Sequence, residues 1–372
     1  MGAVKMDEPA GEGRLVRGFL ESGGGWRWTG RVFAVSLDPP PRPADVYLEL
    51  DFGISRDLAP ESRPLTLTAT VNGIFAGQAV YSKAERCLFA GRVPAAALKR
   101  TPAQIQFELD RSFTWPQDGR ERGLMVVSAA LVPYEETTAY RGIHAARAMA
   151  AYRQIAARRP HPLDPRLMKL FHELPVWQNF SMHNIQIEKN PLDLWNMRQI
   201  VYEIRPDFIV ETGTAWGGSA LFWAETLHGL GLQRSRVLTV DIADATQTAS
   251  TDALWKKYVD FYFGSSTDPS IVSAIRGRVK GRKVLVSLDS DHSMRHVLRE
   301  LKMYAPLVSR ASYVIVEDTH LDGVPTHPEQ SAGPMAAVVE FLNQGGARDF
   351  EQDLSRETLG ITYYPGGWLR RK

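Results

Sequence analysis

Two short acidic runs could do chemistry: Asp289-Ser290-Asp291-His292 and Glu317-Asp318-Thr319-His320. Each closes a short apolar segment, KVLVSL at 283–288 and SYVIV at 312–316. Three or four carboxylates at neighbouring strand ends repel one another unless a cation joins them. Oxygen-only ligands point to Mg²⁺ or Ca²⁺, and a few carboxylates with open water positions suit Mg²⁺. Such an ion lowers the pKa of a hydroxyl bound to it. His292, beside Asp289, could then take the proton, because imidazole titrates near neutrality. Plainer uses exist for the same residues. Asp-Ser-Asp caps helices, Glu-Asp before Thr is common in loops, and a lone histidine is usually structural. What favours chemistry is that both runs close strands of one expected sheet.

A second constellation is Glu211-Thr212-Gly213-Thr214-Ala215-Trp216-Gly217-Gly218-Ser219, at the end of the apolar segment 206–213. Glycines at a strand-to-helix turn let backbone approach a ligand, and the helix N-terminus favours a carboxylate or phosphate. Asp241 closes the next apolar segment, 28 residues after Gly213 (241 − 213). A carboxylate there can accept both hydroxyls of a ribose. A dinucleotide site is the competitor, but GTAWGG does not match G-x-G-x-x-G and Asp241 falls later than about 20 residues on. An acidic residue just before the first glycine suits a cofactor carrying an amino acid rather than a pyrophosphate. The bland alternative is a tight turn. Ser265 and Ser266 offer small hydroxyls where an adenine ring would lie, or else form an ordinary polar loop.

Positioning these residues requires a regular scaffold. Apolar runs at 206–213, 236–244, 259–266, 283–291 and 312–319 alternate with helical patterns such as 217–230 and 295–307. Strands apolar throughout and separated by helices mean a parallel sheet covered on both faces, with ligands at the carboxyl ends of its strands. Upstream, the runs at 46–53, 65–73, 105–110 and 124–132 are shorter, often alternating, and bounded by turn residues such as Asn72-Gly73. They predict antiparallel strands packed as a β-sandwich-like domain. The Ala- and Arg-rich stretch 137–159 reads as a helix, ended by Pro160, Pro162 and Pro165. The expected organisation is a β-rich accessory domain over 1–136, a helical linker over 137–165, and a Rossmann-like, doubly wound α/β domain over 166–372.

Composition narrows the classes. With 44 Lys and Arg against 42 Asp and Glu, the formal charge of +2 leaves no electrostatic footprint for nucleic acid. The single cysteine, Cys87, fits a reducing compartment. No run approaches the roughly 18 apolar residues of a membrane span. The N-terminus lacks the apolar stretch of a signal peptide. A cytoplasmic protein, working as a homo-oligomer on a small-molecule or glycan acceptor, is the expectation.

At this point the chain resembles the cephalosporin hydroxylase family, across roughly 171–372. The carrying motifs are PLDLW at 191–195, RPDFIVETGTAWGGSALFWA at 205–224, SLDSDHSMRHVLRELKMYAPLV at 287–308, SYVIVEDT at 312–319, GPMAAVVEFL at 333–342 and YYPGGWLRR at 363–371. Despite its name the family has a methyltransferase fold, and its better understood members methylate sugar hydroxyls of macrolide-type natural products. The resemblance implies Mg²⁺ held by Asp289, Glu317 and Asp318, with His292 as general base. It further implies S-adenosylmethionine contacts from Glu211, Thr212, Gly213, Asp241 and the Ser265–Ser266 region, with Gly217, Ser219 and Asp289 in the same cofactor set. The segments 24–30, 67–77 and 114–132 resemble a β-rich module found beside bacterial glycan-biosynthesis enzymes. Trp26, Trp28 and Trp115 there could stack on sugars, although aromatic residues in small sandwiches are more often core.

The expected activity is in-line transfer of a sulfonium methyl to a sugar hydroxyl. Two alternatives stand beside it. A hydroxylase would need a redox metal, usually on two histidines and one carboxylate, for which His292 and His320 are the candidates. A non-catalytic glycan-binding protein would need a degenerate site, and the acidic set is intact.

Overall fold

The computed structural model describes residues 2–40, 46–55, 64–115, 118–158, 165–174, 177–323 and 332–372. The chain divides into two compact units, Met1–Tyr140 and Arg141–Lys372. The helix Thr138–Arg158 runs across that division. Pro160 and Pro162 lie outside the described residues.

In the first unit nine strands join in one antiparallel sheet. Val46–Gly53, Leu65–Val71 and Ala103–Leu109 alternate buried and more exposed positions, so every second side chain enters the core. Asn72 and Gly73 take φ of 49° and 80°, which lets a two-residue hairpin join Leu65–Val71 to Ile74–Tyr81. The sheet curls round until its end strands, Ile74–Tyr81 and Arg86–Arg92, meet, with Tyr81 OH donating to the Leu88 carbonyl at 3.1 Å. Trp28 is 7 % exposed, flanked by Trp26 at 5.5 Å and Trp115 at 5.6 Å, while Arg122 covers Trp28 and Trp115. These indoles spend their faces on one another and on Arg122, which is core packing rather than an open sugar platform.

The second unit is an α/β fold. The strands of its main sheet are β1 Phe208–Thr212, β2 Arg236–Asp241, β3 Val259–Phe263, β4 Val284–Leu288, β5 Tyr313–Val316, β6 Phe350–Gln352 and β7 Trp368–Arg371. They lie in the order β3-β2-β1-β4-β5-β7-β6. The first five are parallel, whereas β7 runs antiparallel to both its neighbours. All of β4 and β5 is buried, as a sheet covered on both faces demands. Among the intervening helices, α1 Pro191–Ile204 is capped by Asn190, whose side chain accepts from Leu192 N, with Pro191 at the first turn. Next come α2 Gly218–Gly229, α3 Ala253–Tyr258, α4 Pro269–Val279, α5 Met294–Tyr304 and α6 Pro334–Asn343. Strand order reverses between β1 and β4, and that switch point is where open α/β sheets bind ligands. Among the described residues no helix is long and apolar enough to cross a membrane.

Candidate functional site

A cleft of ≈ 760 Å³ opens at the carboxyl ends of the parallel strands. Gly213, Ser219, Asp241, Ser265, Ser266, Asp289, His292 and Asp318, all singled out in the sequence, line it.

On one side, the turn after β1 is set by close approach. Gly213 has φ 85°, and a Cβ there would stand 1.8 Å from the Asp289 carbonyl oxygen. The loop is then clamped by Asp241, whose Oδ2 accepts from the backbone N–H of Thr214 (2.8 Å) and Ala215 (2.9 Å). Asp241 Oδ1 accepts from Ala243 N at 2.9 Å. A carboxylate has about four acceptor positions, so Asp241 keeps roughly one beyond these three donors. Ser266 Oγ lies 2.9 Å from His296 Nε2, and Tyr304 donates to the Ser266 carbonyl at 2.8 Å. His296 was not picked out in the sequence, yet it completes this wall.

Three residues expected at the cofactor are placed otherwise. Glu211 is fully buried beneath the cleft, its oxygens accepting from Trp223 Nε1 (3.0 Å) and Thr239 Oγ1 (2.7 Å). Burial pushes its carboxyl up to about 7. Thr239 is 2.7 Å from Thr214 Oγ1, and Ser219 of the cleft wall also bonds Glu211, so Glu211 meets the cleft through hydroxyls rather than directly. Thr212 is fully buried as well. Gly217, at φ 91°, makes room for the Trp255 ring, which a Cβ would meet at 2.6 Å.

On the other side stand the acidic residues. The ladder continues one residue past β4 and β5, through Asp289 N to Thr212 O (3.0 Å) and Glu317 N to Leu288 O (3.1 Å). This fixes both carboxylates side by side at the strand ends. Asp289, His292 and Asp318 bring one ligand atom each to within 4.8 Å of one another. His292 Nε2 lies 3.2 Å from Asp289 Oδ1 and 3.5 Å from Asp318 Oδ2. Burial alone would lower the His292 pKa, but Asp289, Asp318 and Glu317 together raise it to about 9. Burial pushes Asp318 up to about 7, with Asp289 and Glu317 adding to the rise. Asp318 holds φ 55°, a left-handed backbone that Asp tolerates better than most residues.

Glu317, expected as a third metal ligand, is engaged elsewhere. Its Oε1 accepts from Ser287 Oγ (2.7 Å), and its Oε2 from Lys189 Nζ (2.5 Å) and Tyr364 OH (2.5 Å). Lys189 also donates to Asp289 Oδ2 at 2.7 Å. Neither Lys189 nor Tyr364 was singled out in the sequence, since nothing in local spacing ties position 189 or 364 to position 317.

The remaining motifs hold the cleft's outer wall. Asp193 of PLDLW is fully buried and accepts from Thr362 Oγ1 (2.6 Å) and Tyr363 N (2.7 Å). Tyr363 stacks on His320 with ring centres 4.3 Å apart. His320 Nδ1 faces the Tyr363 carbonyl and its Nε2 faces His172, each at 3.0 Å. Both ring nitrogens are thus engaged, and among the described residues the group of convergent ligand atoms contains one histidine, His292. Asp322 accepts from Gly333, Met335 and Ala336 N–H groups and so caps α6.

A seven-stranded sheet with its last strand reversed, a glycine turn after β1 and an acid after β2 is the class I S-adenosylmethionine-dependent methyltransferase fold. Residues 175–372 match the model of the Rhamnosyl O-methyltransferase/CmcI family, and the chain belongs to that family. It is an S-adenosylmethionine-dependent O-methyltransferase. It is 37% identical over 201 residues to the rhamnosyl O-methyltransferase of Mycobacterium leprae, covering 53% of this chain and 85% of the relative. For that of Mycobacterium tuberculosis H37Rv the figures are 36% over 200 residues, 53% and 80%. Among solved structures, CmcI with Mg and SAM is 16% identical over 52% of this chain and 77% of that one, with a TM-score of 0.41. MycE methyltransferase from the mycinamycin pathway is 18% identical over 64% and 59%, with a TM-score of 0.33.

Proposed function

We propose that this protein methylates a hydroxyl of a sugar, a rhamnosyl unit foremost, on a glycosylated small molecule or glycan, with help from Mg²⁺. The observation carrying this reading is that one cleft joins the Gly213–Asp241 wall to the Asp289–His292–Asp318 group. S-adenosylmethionine brings an electrophilic methyl group, and a divalent cation brings positive charge that acidifies a hydroxyl.

The donor set fits such a cation: two carboxylates converge on the cleft, with an imidazole between them. Asp289 and Asp318 would hold the ion. Glu317 stands behind them, its oxygens held by Ser287, Lys189 and Tyr364. His292 Nε2 takes the proton from the acceptor hydroxyl. Asp241 accepts from a ribose hydroxyl, while Gly213 and Ser219 line the wall at the amino-acid end of the cofactor. Ser265 and Ser266 border the adenine. Holding acceptor oxygen, methyl carbon and sulfur in line supplies much of the acceleration. The lone Cys87 suits a cytoplasmic setting.

The test is incubation with S-adenosylmethionine and a panel of rhamnosides, read by mass spectrometry. One added methyl is expected with Mg²⁺ present, none with excess chelator, and restoration on adding Mg²⁺ back. Absence of transfer to every glycoside would refute the acceptor class. Full turnover in chelator would refute the role of the ion.

A further inference from the structure

The proposed reaction gives no role to Lys189, a buried cation inside the acidic group. Its side chain is 3 % exposed and bridges Asp289 Oδ2 at 2.7 Å to Glu317 Oε2 at 2.5 Å. It sits in the loop just before Asn190, the cap of α1, and its own N–H donates to the Ile187 carbonyl. Loop and helix start thus aim the ammonium at two strand ends, 100 and 128 residues further along the chain. A buried lysine without acidic partners loses its proton. Here Asp289 and Glu317 both stand within hydrogen-bond distance of the ammonium.

We infer that Lys189 is a built-in counter-cation of the site, holding Asp289 and Glu317 in place before any metal arrives and setting how tightly a divalent ion is bound. The argument is geometric first. Each carboxylate has one oxygen on Lys189, so Asp289 is left with Oδ1 on the side of His292 and the cleft. Glu317 is locked from three directions by Lys189, Tyr364 and Ser287. The second argument is charge. Asp289, Glu317 and Asp318 are three acids around one spot, and Lys189 is the cation that contacts two of them from the buried side, while His292 faces Asp289 and Asp318 from the cleft. Without the ammonium, two close carboxylates would lie unpaired in a low-dielectric floor, and an incoming ion would lose a repelling neighbour. Lys189 is therefore a positioning residue: it acts on acceptor chemistry only through Asp289 and Glu317.

The inference rests on the metal reading above, and the experiment separates the two. Wild type, Lys189→Met and Lys189→Arg are titrated with Mn²⁺ by calorimetry, and each is melted in chelator and in saturating Mg²⁺. Lys189→Met should lower the melting midpoint in chelator by about 5 °C or more, as for other broken buried ion pairs. It should also bind Mn²⁺ at least about tenfold more tightly than wild type, with a larger Mg²⁺-induced rise in midpoint. Lys189→Arg should stay close to wild type in both. If Lys189→Met does not fold, adding Glu317→Gln should restore folding in chelator, because it removes the stranded charge. Unchanged or weaker Mn²⁺ affinity in Lys189→Met would overturn the inference, and so would a double variant no more stable than the single. A merely structural lysine would shift both melts equally. Wild type that binds no Mn²⁺ would overturn the metal reading and with it the affinity half of this inference, while the melts in chelator still decide whether Lys189 holds Asp289 and Glu317 in place.

Discussion

Replacing His292 by alanine tests the proposed chemistry most directly. His292 lies just ahead of α5, where it could have been only a capping residue. The structure gives that work to others: Ser293 Oγ accepts from His296 N, and Asp291 Oδ1 accepts from Ser293 N. The His292 side chain is 38% exposed, so its loss should cost the fold less than about 1 kcal/mol. Removing a general base costs about 10²–10⁴ in rate, equivalent to about 3–5 kcal/mol of barrier. The pH profile carries the sharper signature. With a pKa of about 9, only about one hundredth of His292 is neutral at pH 7. A positive ion at Asp289 and Asp318 offsets the charges that hold the proton on, so the pKa should fall towards the ordinary 6.5 when Mg²⁺ is added. Imidazole NMR titration with and without Mg²⁺ reads this shift, and single-turnover methyl transfer from about pH 6 to 10 reads the rate. The rate should rise with pH through the measured pKa, and the rise should vanish in His292→Ala. A folded alanine variant with near-normal turnover and an unaltered profile would remove His292 from the proton transfer.

Asp241→Ala should weaken S-adenosylhomocysteine binding roughly ten- to hundredfold by calorimetry, because a ribose hydroxyl loses a charged acceptor and the Thr214–Ala215 clamp is released; unchanged affinity would move the ribose elsewhere. Stability should fall as pH rises from about 4 to 7. Burial raises Asp193 and Glu211 to about 7 and Asp322 to about 6, so in that window the native state binds protons that the unfolded chain has released. Melting midpoints should accordingly be higher at pH 5.5 than at pH 8, and a flat profile would show that these carboxyls stay ionised in the fold.

What the sequence determined by itself was the scaffold and the outward-facing chemistry. Continuous apolar runs ending in Gly213, Asp241, Asp289 and Glu317 are local signals, since a strand buried on both faces must be apolar along its whole length. A polar residue at its end then has to emerge at the ligand edge of the sheet. Asn72-Gly73 was legible for the same reason, because two consecutive left-handed residues select a narrow set of side chains. The direction each acid faces was not local. Glu211 and Asp241 both close strands and look equivalent in one dimension, yet Trp223 and Thr239 bury one while backbone N–H groups hold the other at the cleft. Glu317 and Asp318 are adjacent residues that tertiary structure separates: Lys189, Ser287 and Tyr364 hold the first inward, and the left-handed backbone of the second turns it towards His292. Those partners come from positions 189, 287 and 364, brought together only when the sheet closes. Burying a carboxylate requires such partners wherever the chain can supply them, so the assignment of inner and outer acids belongs to the fold.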